Sequence, residues 1–370
     1  MKIIFFSNSF WNLYNFRRPV IENCIKFNHE IVLVAGKDNF FYNTYFSKFK
    51  KFSINIISNK ISPFSDILFL LSSIYIIYKV KPDLIINYTI KPNIYTSIAG
   101  KLFNIRVINN FTGLGTIFFI KNFILKYLLN LILIFSQKNV NTICFHNKFD
   151  KNYFIKNKII FENQAIVIPG SGIDINYFDY IPFKKTNLEN LQFIFIGRLI
   201  KEKGIYEYLE AAKNIKSKFE KINFVIVGDI DPNNPSSISK AKILEFIDKK
   251  IIKYFSFQEN VKIFLKKSDC LILPSYREGL SKILLESCLM GIPVITTDVP
   301  GCADVVINNY NGLLCKAQDT NNLIARINDF MNYNLKERES LSINARKYVE
   351  SKFSNEIIVS KYENIINNNK

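Results

Sequence analysis

Glu278 and Glu286 flank the segment Gly279-Leu280-Ser281, which opens an amphipathic run. An ionised carboxylate only accepts hydrogen bonds, and its two oxygens can hold both hydroxyls of a vicinal diol on a ribose or a hexose. The amides of Gly279, Leu280 and Ser281 fall at an expected helix start, where donors without intrahelical partners and aligned peptide dipoles favour an anion. Upstream, Gly197-Arg198 and Lys203 add a guanidinium fork and an ammonium, both suited to phosphate oxygens. Such a set fits a nucleoside-diphosphate sugar. Amides and cations hold the diphosphate, carboxylates hold hydroxyls, and positive charge stabilises the diphosphate as it departs.

The elements that must place these groups are legible in the pattern. Cys270–Leu273 is a short apolar run, and Pro274, Ser275 and Gly279 break it. Leu280 to Met290 then carries apolar residues at helical spacing until Gly291-Ile292-Pro293 stops it. Glu278 therefore belongs to the loop and Glu286 to the helix. Phe193–Ile196 reads as a strand that delivers Arg198 at its carboxyl end, with Lys203 at the start of the next helix. Further strands are expected at Phe224–Val227, Val294–Thr296 and Leu313–Cys315. In the first half, strands are expected at Ile3–Ser7, Glu30–Ala35, Phe52–Ile57, Leu84–Tyr88, Arg106–Asn109, Thr142–Phe145 and Ala165–Ile168. Helices are expected at Arg18–Phe27, Asp66–Tyr78, Asn93–Phe103 and Asp150–Lys156. This alternation predicts an α/β fold with two doubly wound parallel sheets, residues 1–172 and 173–352, each binding ligands at its strand carboxyl ends.

Several of these pieces together resemble retaining family-4 glycosyltransferases. Glu278 and Glu286 resemble that family's E-x7-E signature. Gly197-Arg198-Leu199 with Glu202-Lys203-Gly204, Pro300-Gly301-Cys302 and Asn311-Gly312-Leu313-Leu314 resemble its other landmarks, and their spacing matches the whole carboxyl-terminal half. The resemblance is strongest to capsule, O-antigen and N-glycan assembly enzymes that act on polyprenyl-diphosphate-linked sugars. It implies the GT-B fold, two Rossmann-like domains facing a central cleft, with residues 353–370 as a terminal helix crossing back to the first domain. It also implies transfer of a hexose or N-acetylhexosamine with retention, a UDP-sugar being the expected donor and no metal cofactor being required. Glu278, Arg198 and Lys203 are the catalytic candidates. Gly197, Gly279, Leu280, Ser281 and Glu286 complete the donor site, with Glu286 on the ribose. No carboxylate pair suits a double displacement, so the leaving phosphate is expected to take the acceptor's proton.

The acceptor-side candidates lie at strand ends of the first half. In Asn8–Arg18, Asn15, Arg17 and Arg18 could meet an acceptor phosphate, and Trp11 and Tyr14 could stack on a sugar. Thr89 and Lys91 belong with them by position and by the resemblance. Gly113 and Gly115 let a backbone approach a ligand closely. They stand in a loop that lies by donor sugar and acceptor in the resembled enzymes. Many of those enzymes keep a histidine near this loop and this chain has none, which leaves the loop amides or Asn110. Position 118 is Phe, so the fingerprint G-x-G-x-x-G is absent, which counts against a nicotinamide enzyme.

The remaining composition narrows the classes. The chain has 370 residues and a formal charge of +18, which suggests an anionic partner. Six cysteines without C-x-x-C spacing and only two histidines fit a reducing cytosol better than a disulfide or zinc framework. The first apolar run, Ile3 to Phe6, is too short for a signal peptide and reads as a buried strand. Thr116–Gln137 is mostly apolar, but Lys121, Asn122, Lys126 and Asn130 interrupt it, so it reads as a helix on an anionic membrane surface rather than through it. Asp229-Ile230-Asp231 has the look of a divalent-metal motif, but a turn cluster follows it, and Arg198 and Lys203 already supply positive charge. His29 and His146 are taken as structural, and Lys201 and Glu202 as exposed. A nucleotide-sugar epimerase and a basic nucleic-acid binder are the alternatives. Few histidines argue against the first, and cations spread along the chain argue against the second.

Overall fold

The computed structural model describes residues 1–56, 62–114, 122–183, 190–232 and 234–367. Contacts divide the chain into two compact units, Met1–Gly172 with Asn355–Lys370, and Ile173–Ser354. The amino-terminal unit holds β1 (Lys2–Ser7), β2 (Glu30–Ala35), β3 (Lys50–Ser53), β4 (Leu84–Tyr88), β5 (Arg106–Phe111), β6 (Thr142–Phe145) and β7 (Ala165–Val167). They form one parallel sheet in the order β3-β2-β1-β4-β5-β6-β7. Val, Ile and Phe fill these strands, and β4 and β6 are buried throughout, as expected of strands covered on both faces. Ile4 pairs with Val32 on one side and Ile85 on the other, which puts β1 in the middle.

The second unit holds β8 (Gln192–Ile196), β9 (Asn223–Val227), β10 (Lys253–Phe255), β11 (Cys270–Leu273), β12 (Val294–Thr297) and β13 (Leu313–Cys315). Its parallel order is β10-β9-β8-β11-β12-β13. Each order reverses direction beside its first strand, the switch point where doubly wound sheets bind ligands. Phe193 pairs with Cys270, so β8 and β11 are hydrogen-bonded neighbours although far apart in sequence. Strand β10 went unforeseen, and β3 lies earlier than the expected Phe52–Ile57, of which Ile57 is outside the described residues.

Helix α1 (Arg18–Lys26) follows β1 after the π-helical turn Leu13–Arg17. Helices α2 (Pro63–Val80), α3 (Ile90–Leu102) and α4 (Phe123–Gln137) pack side by side, α3 touching both others. Their inner ends are held by buried amides. Asn87 Nδ2 donates to Asn109 Oδ1 at 2.7 Å, and Asn109 Nδ2 donates to Ser97 Oγ at 2.7 Å and Gln137 Oε1 at 2.5 Å. These bonds run between elements, so the network locks β4 and β5 to α3 and α4, with Asn87 Oδ1 left without a partner. The terminal helix, α5 (Asn355–Asn367), buries Ile358, Tyr362 and Ile366 among Phe5, Cys24 and Tyr88 of the amino-terminal unit. The guanidinium of Arg106 donates to the Ile365 and Ile366 carbonyls and so satisfies its last turn.

Helices α2 and α4 turn apolar faces outward. On α2, Phe64, Ile67, Leu68, Leu71, Tyr75 and Tyr78 are exposed at helical spacing, while Phe69, Ile76 and Ile77 face the core. On α4, Ile124, Leu128, Leu131 and Phe135 do the same. Helix α2 is long and apolar enough to cross a membrane. Its Phe69 ring nevertheless packs 5.9 Å from Tyr95 of α3, and its Asp66 is ion-paired to Lys91, so one whole face belongs to the unit.

Candidate active site

The two strand–turn corners after β8 and β11 meet. Beyond β8, Gly197 leads to Arg198, which is exposed and whose guanidinium has no hydrogen bond or ion pair with a described residue. The chain then runs through the short turn Lys201–Lys203 to Gly204, whose φ of 76° belongs to the left-handed region. A Cβ there would collide with the Pro274 carbonyl at the end of β11, so only glycine allows the corners to close. Tyr276 N–H donates to the Glu202 carbonyl at 2.8 Å, which fixes them together.

Lys203 and Glu278, 75 positions apart in sequence, form an ion pair across this seam, with Nζ to Oε1 at 2.5 Å. Glu278 Oε1 also accepts from Ser275 Oγ at 2.8 Å. Ser275 was not foreseen; its hydroxyl steers the carboxylate, and its carbonyl accepts from Thr297. The pairing changes the expected division of labour. Lys203 and Glu278 neutralise each other, and Arg198 is left as the uncompensated charge.

The helix after β11 spans Lys282–Leu289, one turn-edge later than the Leu280 start expected. Ser281 N–H is already spent on the Gly301 carbonyl at 3.4 Å, Glu278 N–H donates to Pro300 O at 3.2 Å, and Gly279 is also engaged. The open helix donors are therefore the first-turn amides of Ile283 and Leu284, with Leu280 preceding them. The Pro300-Gly301 loop is thus a support for the anion corner. Gly301, at φ 82°, has no room for a Cβ against the Glu278 carbonyl.

Glu286 lies on that helix, 9% exposed. Burial pushes its carboxyl above the usual carboxylate range, against the pull of Lys282 Nζ at 3.7 Å. A buried carboxylate with only one distant cation gains from a ligand that donates two hydroxyl hydrogens. Lys201 is exposed as expected, but Glu202 is half-buried with Oε1 accepting from Ser236 Oγ at 2.7 Å. Asp229 Oδ1 accepts from Phe257 N–H at 2.8 Å, and among the described residues no group of three metal-ligating side chains occurs.

The acceptor-side candidates fare unevenly. Asn110 is fully buried and used up: its Nδ2 donates to Asn87 O at 2.9 Å and its Oδ1 accepts from Tyr362 at 2.7 Å. Lys91 is held by Asp66 at 2.6 Å, both mostly buried, so its charge is already compensated. Arg18 is exposed, pairs with Glu22 at 2.7 Å and lies over the rings of Tyr14 and Tyr45. Asn15 Nδ2 donates to Trp11 O at 3.0 Å. Trp11 is 40% exposed and can offer a ring face, whereas Tyr14 packs among Phe40, Tyr45 and Phe46. Arg17 and Thr89 are buried or half-buried at adjacent strand ends, and His146 joins them. Gly113 ends β5 with φ 143°, and Gly115 lies outside the described residues.

Paired corners that present a free guanidinium, an ammonium–carboxylate bridge and helix amides coincide with residues matched by a family model. Residues 178–348 match the family described as glycosyl transferases group 1. That match spans nearly all of the second unit, Ile173–Ser354. Over 384 aligned residues the chain is 26% identical to the N,N'-diacetylbacillosaminyl-diphospho-undecaprenol α-1,3-N-acetylgalactosaminyltransferase of Campylobacter jejuni, covering 98% of this chain and 97% of that one. It is 28% identical to the capsular polysaccharide biosynthesis glycosyltransferase CapM of Staphylococcus aureus, over 83% of this chain and 82% of the relative. The solved structure of HepE from Anabaena in complex with UDP superposes with a TM-score of 0.79 at 15% identity, covering all of both chains. This likeness, with the two parallel sheets, gives the chain the GT-B fold. The landmarks around Arg198, Lys203, Glu278 and Glu286 all fall within the matched residues.

Proposed function

We propose that this group 1 glycosyltransferase moves a hexose or N-acetylhexosamine from a nucleoside-diphosphate sugar, UDP being the favoured nucleotide, to a saccharide carried on a polyprenyl diphosphate. The observation that carries this reading is the Lys203–Glu278 bridge beside the uncompensated Arg198. Arg198 and the first-turn amides neutralise the diphosphate, and Lys203 adds its remaining N–H donors. Glu278, fixed by Ser275, receives hydroxyls of the donor sugar, and Glu286 receives the ribose diol. The bond from the anomeric carbon to the β-phosphate oxygen breaks, the acceptor hydroxyl attacks on the same face, and its proton passes to the departing phosphate oxygen. Retention follows, and no metal is needed where Arg198 supplies the charge. The Campylobacter relative's diphospho-undecaprenol acceptor and the UDP held by HepE support acceptor and donor class.

A lipid-linked acceptor also gives a reason for the outward apolar faces. Helices α2 and α4 expose Phe64, Leu71, Tyr75, Phe123, Ile124, Leu128 and Phe135, with Lys79 and Lys101 at their margins. This pattern suits a protein lying on an anionic bilayer at its cytoplasmic side, apolar side chains among acyl chains and ammonium groups at phosphates. The expectation had placed only the α4 region there; α2 doubles the surface. The test is to incubate the protein with UDP-sugars and a short-chain polyprenyl-diphosphate-linked saccharide. UDP release that requires acceptor supports the reading. Conversion of donor without acceptor, as by an epimerase, or Glu286→Ala with unchanged turnover, contradicts it.

A further inference from the structure

Arg17 carries a charge that no described residue of the amino-terminal unit balances. It is 3% exposed, at the end of the π-helical turn that leads into α1. Its guanidinium carbon stands 4.1 Å from the centroid of the Tyr88 ring and 5.8 Å from that of Phe16. It has no hydrogen bond or ion pair with a described residue, and its buried Nε has no partner. An aromatic face offsets only part of what it costs to bury a cation, and an arginine stays protonated regardless.

Two further groups at the same sheet edge are also unsatisfied. His146 follows β6, is 5% exposed, and its buried Nε2 has no partner. Burial, with the charge of Arg17 next, brings its pKa down to about 3, so the imidazole is neutral and keeps one N–H to donate. Thr89 follows β4 directly after Tyr88, with φ 74° and ψ 162°, a strained backbone for a β-branched residue. Its Oγ1 is buried without a partner. Strain and unpaired donors at strand carboxyl ends mark ligand positions in parallel sheets. The donors here include one full positive charge, so the missing partner is an anion rich in acceptor oxygens.

We propose that Arg17, His146 and Thr89 line an anion subsite in the amino-terminal unit that takes a phosphate or diphosphate group. It rests on the acceptor reading above in so far as that phosphate is the lipid carrier's. Arg17 supplies the charge-assisted bond, His146 and Thr89 supply neutral donors, and the Tyr88 ring holds the guanidinium plane. The subsite also selects between neighbours: Arg17 serves it, whereas Arg18 is paired to Glu22 and Lys91 to Asp66.

The experiment is titration of the full chain with inorganic pyrophosphate and with farnesyl diphosphate, each with and without saturating UDP. UDP affinity is measured separately. The wild type should bind both probes with UDP present, and Arg17→Met should weaken them at least tenfold while UDP affinity stays unchanged. A tighter fit for farnesyl diphosphate than for pyrophosphate assigns the site to a lipid carrier, and equal fits assign it to free phosphate. Arg198→Ala should do the reverse, losing UDP and keeping the probes. Should Arg17→Met not fold, Arg17→Lys and Thr89→Val carry the test, with several-fold losses expected. Probe affinity unchanged in folded Arg17 variants overturns the subsite, since a purely structural arginine lowers Tm without touching affinity. Absent UDP binding with Arg17-dependent probe binding retained would overturn the donor reading and leave the subsite standing.

Discussion

The carboxyl ends of the strands are finished differently in the two units. In the second unit, the charges at the seam between β8 and β11 largely answer one another: Lys203 meets Glu278, Ser275 orients Glu278, and Glu202 takes Ser236. In the amino-terminal unit, the groups behind the edge are tied together by the Asn87–Asn109–Gln137 network, with Asn87 Oδ1 unmatched, while Arg17 Nε, Thr89 Oγ1 and His146 Nε2 on the edge all lack a partner. The difference teaches that the donor corner is assembled before a ligand arrives. Internal pairs hold its geometry, and a single free guanidinium gives it sign. The other edge stays incomplete without an anion, and its backbone is strained at Thr89. Preorganised charge of the first kind favours transition-state stabilisation, since nothing need reorient as the diphosphate departs.

Substitutions can break this contrast. The largest effect is expected from Arg198→Ala, which should lower turnover about 10²–10³-fold, the scale of losing one preorganised donor to developing charge. Its exposure means that stability should shift by no more than about 0.5 kcal/mol, read as an almost unchanged Tm. Lys203→Ala should behave differently and destabilise the protein by about 3 kcal/mol, because the Glu278 carboxylate is left mostly buried without its cation. The double variant Lys203→Met with Glu278→Gln should recover most of that Tm loss and none of the activity. Recovery of both would mean that the bridge is only structural.

A smaller effect belongs to the outer faces of α2 and α4. Leu71→Ser with Tyr75→Ser, or Ile124→Ser with Leu128→Ser, should reduce cosedimentation with anionic vesicles several-fold and leave stability within about 1 kcal/mol of the wild type. Equal loss of Tm and vesicle binding would instead make these faces part of the packed interior.

The smallest concerns Glu286. Its folded carboxyl is shifted up by burial, so the native state binds a proton more tightly than the unfolded chain. This carboxyl's contribution to stability is therefore fully present at low pH and is lost as pH rises through the unfolded carboxylate range of about 4.3 toward the raised folded value. Glu286→Gln removes this slope. Without ligand, its Tm should exceed the wild type's at pH 7.5, and the gap should close near pH 4.5. A constant gap would assign the change to packing rather than charge.

Much of this was legible in the sequence, for identifiable reasons. Strands β2, β4, β6 and β11 are short runs of Val, Ile, Leu and Cys bounded by turn residues, and they were placed residue for residue. The edges were not. Strand β10 is three residues beside lysines, and β3 is Lys50-Lys51-Phe52-Ser53, so neither shows an apolar run. The site residues were legible by type and by corner, but their partners were not, because pairing is a long-range fact. Nothing near Lys203 announces Glu278. Nothing near Asn110 announces Tyr362, which arrives on the terminal helix 252 positions later and occupies the amide expected to face a substrate. His146 was read as structural because one histidine beside a strand carries no signal until Arg17 is seen to face it. Helix α2 hid its outward stripe because both of its faces are apolar.

The most direct measurement is the UDP-induced change in Tm of the wild type, Arg198→Ala and Lys203→Ala. Selective binding to the folded state at about 100 times Kd adds about 2.7 kcal/mol, which amounts to several degrees. The account predicts a clear rise for the wild type, little or none for Arg198→Ala, and a reduced rise from a lower starting point for Lys203→Ala. A UDP-induced rise of the same size in Arg198→Ala as in the wild type would contradict it.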